Sequence, residues 1–74
     1  MSNYRDEEWL KEFGLHLKAV REKKGLSLRK LADLADVNYN QIYKIEKGET
    51  SPSISFVKAI ADALGMKITK LLDF

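Results

Sequence analysis

Apolar residues recur at three- and four-residue spacing in four stretches, each opened by a side chain that can cap a helix and closed by a glycine or a short break. This punctuation constrains the fold more than any other feature, because it sets helices that are short and separately bounded. The first, about 6 to 24, has Asp6 as its cap, carries Leu10, Phe13, Leu17 and Val20 on one face, and stops at Gly25. Ser27 caps the second, about 28 to 35, where Leu28, Leu31, Ala32 and Ala35 form the stripe. The break Asp36-Val37-Asn38 leads into a third helix, about 39 to 47, with Asn38 as cap, Ile42 and Ile45 inward and Gly48 as the stop. Ser53 caps a fourth, to about 64, with Ile54, Val57, Ile60, Ala61 and Leu64 at helical spacing and Gly65 beyond. The tail 67–73 suits a fifth, short helix. No stretch alternates with period two for long enough to make a strand, so the predicted class is all-α.

A chain of 74 residues supports one core and no deep cleft with a supporting shell, which argues against an elaborate enzyme. There is no Cys, and therefore no disulfide framework, thiolate metal site or cysteine nucleophile. His16 is the single histidine and has no partner at metal-ligand spacing, so it reads as a surface residue and no metal or cofactor is expected. Glu7, Glu8 and Glu12 read as an acidic bias at a helix start, not as a catalytic carboxylate pair. No apolar run approaches the ~20 residues that cross a bilayer, and the start MSNYRDEEW lacks the character of a signal peptide. The expectation is a cytoplasmic protein with no membrane or small-molecule partner.

The net charge of +2 is unevenly spread. Residues 1–15 carry two cations and four anions, residues 16–30 six cations and one anion, and residues 31–74 five cations and six anions. A basic segment on a nearly neutral domain points to an anionic partner, and a solvated helix face gives the same count.

Two short helices joined by a tight break are the outline of a helix-turn-helix, whose second helix can enter the DNA major groove. Generic helical hairpins share that outline, and the details of this chain sharpen it. They are Arg21, Gly25-Leu26-Ser27, Leu31-Ala32, Val37, Ile42, Ile45-Glu46-Lys47-Gly48, Pro52-Ser53 and Ala63-Leu64-Gly65. Through REKKGLSLRKLADLADV, IYKIEKGETSPSI and AIADALG, the stretch from Phe13 to about Leu72 resembles the Cro/C1-type, or Xre-like, helix-turn-helix family. That family includes phage repressors, restriction-modification controller proteins and small bacterial regulators. Residues 1–12 then form an N-terminal extension of the first helix, and 13–72 the DNA-binding domain.

The resemblance implies a compact five-helix bundle of the lambda-repressor-like type in which the third helix recognises DNA. Tyr39, Asn40 and Lys44 would face the bases, with Asn38 and Gln41 near the backbone or flanking bases. These residue types are suited to base edges, since Asn pairs with adenine through two hydrogen bonds, Lys donates to guanine O6 and N7, and Tyr meets a thymine methyl or a phosphate. Ser27 and the first-turn amides of the second helix would meet a phosphate, with Arg29 and Lys30 beside them. The sequence departs from the family pattern at Leu28, where many members carry Gln, which leaves Arg29 as the main contact there. Arg21 and Glu46 occupy positions that commonly pair, orienting the third helix on the first.

Tyr4 and Trp9 precede the family core and read as packing residues or as part of a dimer contact. Phe56, Ile68, Leu71, Leu72 and Phe74 exceed what a small bundle needs, which suggests self-association. The function expected is therefore a homodimeric, sequence-specific regulator of transcription that binds double-stranded DNA at a palindromic operator, nucleoid-associated and without a catalytic step. The alternative is an antitoxin- or adaptor-like protein-interaction module on the same bundle. Salt dependence of binding separates the two.

Overall fold

The computed structural model describes residues 5–74, so Tyr4 lies outside the described residues. Among these residues, the helices are α1 (Glu7–Lys23), α2 (Leu28–Ala35), α3 (Tyr39–Glu46), α4 (Ile54–Ala63) and α5 (Ile68–Leu71), with no strand. The first four match the apolar spacing to within about a residue at each end, whereas α5 is a single turn, shorter than 67–73. Three of the caps act as their residue types dictate. Asp6 accepts the Trp9 N–H at 3.0 Å, Ser27 Oγ the Lys30 N–H at 3.0 Å, and Ser53 Oγ the Phe56 N–H at 3.1 Å.

The helices pack α1 on α3, α3 on α2, α2 on α4 and α4 on α5. Their apolar stripes meet in one core built on Phe13, Leu17, Leu31, Ile42, Ile60 and Leu71, all fully buried. No helix is long and apolar enough to cross a membrane, as far as the described residues go.

Two glycines set how closely α3 approaches α1. Gly14 lies in the middle of α1, and a Cβ there would fall 2.6 Å from the Glu46 carbonyl oxygen and closer still to that of Ile45. Gly14 is thus a contact residue, whereas Gly25, Gly48 and Gly65 end elements with positive φ. At Gly48, a Cβ would meet Lys11 Cγ at 2.8 Å and Lys11 Cα at 3.0 Å. The C-terminal end of α3 is therefore seated against the α1 backbone at both positions.

Several single-residue expectations change. Leu71 has 0% exposure and belongs to the core, so its side chain offers nothing to a partner. Ile54, which shares the helical spacing of Val57, Ile60 and Ala61, is nevertheless 68% exposed, because it is the first residue of α4 and precedes the part of the stripe that is buried. His16 is not a plain surface residue: its ring stacks on Phe74 at 5.2 Å, and its buried Nε2 has no hydrogen-bond partner among the described residues. Trp9 is half-exposed and stacks on Phe13 at 5.6 Å, with the Phe74 ring 5.1 Å away. Phe74 thus folds back on α1, with much of one face covered within the molecule. Phe56, Ile68 and Leu72 are half-buried against the core.

Candidate nucleic-acid interface

The turn between α2 and α3 is made by Asp36, whose backbone is left-handed at φ 57°, ψ 48°. Asp tolerates this conformation better than most residues with a side chain. The Val37 N–H then returns to the Ala32 carbonyl at 3.0 Å, which closes the end of α2 and lets α3 start within three residues.

Asn38 and Gln41 build the start of α3 reciprocally. Asn38 Oδ1 accepts the Asn40 N–H at 2.8 Å, and the Asn38 N–H donates to Gln41 Oε1 at 3.2 Å. Both side chains are exposed, but one acceptor of each is already committed to the cap. Asn40 and Lys44 are exposed, and neither side chain makes a hydrogen bond among the described residues.

At the far end of α3, Glu46 forms the best-satisfied polar contact in the fold. Arg21 Nε donates to Glu46 Oε2 at 2.7 Å, Nη2 to Oε1 at 3.0 Å, and Nη1 to the Leu26 carbonyl at 2.8 Å. Both residues are only 7% exposed. The hydrogen bonds to the Glu46 carboxylate raise the Arg21 pKa above its ordinary value, and the opposing effect of burial does not cancel them. A two-pronged pair of this kind fixes direction as well as distance, and so sets the rotation of α3 about its own axis relative to α1.

With Ile42, Ile45 and Glu46 buried, the outward side of α3 is left to Tyr39, Asn40, Tyr43 and Lys44, continued by Lys47 just beyond the helix. Beside it lies the start of α2, where Ser27 caps the helix, Arg29 and Lys30 are exposed, and the first-turn N–H groups have no intrahelical acceptor. One contact joins the two helices on this side: the Arg29 guanidinium stands over the Tyr39 ring at 4.7 Å. Leu28 is half-buried and packs against the core. A second cation–ring contact, Lys47 over Tyr43 at 5.8 Å, lies at the other end of the face. Tyr43 and Lys47 do not stand out in the sequence as site residues, although their spacing from Tyr39 and Asn40 is the helical repeat that places them on the same face. The arrangement is a protruding helix bearing amide, phenol and ammonium groups, flanked by cations and free backbone donors.

The helix-turn-helix family model matches residues 17–71. The regulator SlrR of Bacillus subtilis is 34% identical over 61 residues, covering 81% of this chain and 40% of SlrR. SinR of the same organism is 36% identical over 61 residues, covering 81% of this chain and 55% of SinR. The chain thus spans between two-fifths and just over half of these two relatives. Among solved structures, the restriction-modification controller protein C.AhdI from Aeromonas hydrophila superposes with a TM-score of 0.81 at 31% identity, over 84% of this chain and 94% of that one. SlrR and SinR are HTH-type transcriptional regulators, and C.AhdI is a restriction-modification controller protein. Matched over most of its length in both sequence and fold, the chain belongs to the Cro/C1-type helix-turn-helix family.

Proposed function

We propose that this protein is a sequence-specific regulator of transcription that binds double-stranded DNA through α3 in the major groove and acts in the cytoplasm, on the nucleoid. The observation that carries this reading is the outward face of α3 beside the free start of α2, bridged by Arg29 on Tyr39. Asn40 and Lys44 carry free hydrogen-bonding groups at the centre of that face and are the base-reading candidates, with Tyr39 at its edge. Ser27, Arg29 and Lys30 would hold phosphates, with Asn38 and Gln41 at the flank, where their capping bonds limit them to their remaining donors.

The reading extends to a homodimer. Phe56, Ile68 and Leu72 keep partial exposure on the α4–α5 side, and Phe74 is exposed on its outer face. A two-fold dimer sets two α3 helices about 34 Å apart, one turn of DNA, and thereby implies a palindromic operator. Selection of bound duplexes from a random library tests the whole reading. Enrichment of an inverted repeat supports it, and no enrichment removes it. A salt titration adds a second readout, since log affinity should fall by about 0.9 per phosphate contacted for each unit of log salt.

A further inference from the structure

We propose that Tyr43 is a further specificity-determining residue on α3, reading the methyl group of a thymine. This rests on the DNA-binding reading above and adds to it a base and a residue. At about 100° per residue, the buried positions Ile42, Ile45 and Glu46 define the inward direction, and Tyr43 lies nearer the centre of the opposite face than Tyr39 or Gln41 does. Tyr43 is 42% exposed, as Tyr39 is at 41%, and of the two it stands nearer the middle of the outward face. Its hydroxyl has no hydrogen-bond partner among the described residues, so the side chain is not held there by a polar contact within the fold. Its cation–ring contact is with Lys47, whose ammonium stands over the ring 5.8 Å from the centroid.

In the major groove the one apolar group on a base edge is the thymine C5-methyl, and apolar side-chain contact is how it is read. An exposed ring on the same face as Asn40 and Lys44, both suited to polar base edges, complements them: two side chains for hydrogen bonding and one for a methyl. A tyrosine ring loses little freedom on binding, since it has only two side-chain torsions.

The test uses a duplex selected by the full chain, with each thymine in turn replaced by deoxyuridine, which lacks only the methyl. Wild-type protein is expected to lose about three- to fivefold in affinity at one thymine per half-site. Tyr43→Ala should lose that dependence while Tyr43→Phe keeps it, with all three proteins giving the same helical circular dichroism. Equal sensitivity of wild type and Tyr43→Ala at every thymine overturns the proposal. So does a uniform loss of affinity in Tyr43→Phe with no deoxyuridine effect, which would mark a hydroxyl contact to phosphate instead. A wild-type protein that selects no duplex at all removes the DNA-binding reading itself, and is thereby distinguished from failure of the Tyr43 assignment alone.

Discussion

Replacing Arg21 by Ala would leave the Glu46 carboxylate buried without the guanidinium that satisfies both of its oxygens. Breaking a buried pair from one side costs about 3–5 kcal/mol, because the remaining charge is uncompensated. For a domain of this size that corresponds to a fall in Tm of about 12 °C or more. Calorimetry of Arg21→Ala is expected to show that fall, with weaker DNA binding in the surviving folded fraction as α3 loses its fixed rotation. Unchanged melting would contradict the structural role given to this pair. At the start of α3, Asn38→Ala removes the acceptor for the Asn40 N–H and should cost about 1 kcal/mol in chemical denaturation, a typical loss for an N-cap. In the proposed reading, Arg29 and Tyr39 serve binding instead of folding. Tyr39→Leu should leave the denaturation midpoint nearly unchanged while reducing affinity, since it frees the guanidinium from the ring at an exposed site.

The element that matters most is α3, and its placement depends on surfaces too close for a methyl group. Gly14→Ala would force the α1 backbone away from the carbonyls of Ile45 and Glu46. Overpacking against backbone typically costs about 1–3 kcal/mol, and here the displaced partner is the end of α3. By contrast, Gly25→Ala meets no neighbour within 4 Å and is strained only by its φ of +73°, about 1 kcal/mol. Urea denaturation of the two variants should therefore rank Gly14→Ala as the more destabilising. The reverse order would mean that the α1–α3 seat is softer than its geometry implies.

Helix positions were legible in the sequence because caps and stops are local chemistry: Asp6, Ser27, Asn38 and Ser53 each bond within three residues of themselves. The Gly14 contact was not, because its cause is a carbonyl some thirty residues away and a mid-helix glycine has no local signature. Ile54 shows the other limit, since an apolar residue in the first turn of a helix fits the spacing whether or not it reaches the core.

For the whole molecule, the same separation of local from distant causes applies to the two chain ends. Phe74 closes over Trp9, Phe13 and His16, so the apolar tail that looks surplus in the sequence is partly taken up by the fold, and Leu71 entirely so. What remains for self-association is narrower: Phe56, Ile68, Leu72 and the outer face of Phe74. The proposed dimer should be seen by light scattering at high micromolar concentration, and a monomer at that concentration would speak against it.

The residues proposed to read bases follow from the same division, for the fold leaves Asn40 and Lys44 at the centre of the outward face and commits Asn38 and Gln41 to the cap. The central claim is that this face reads sequence. It is tested most directly by selecting duplexes from one random library with wild-type protein and with Asn40→Ala. The wild type is expected to yield an inverted repeat, and the variant the same repeat with its preference for adenine relaxed at one symmetry-related pair of positions. An identical motif from both proteins would contradict the claim.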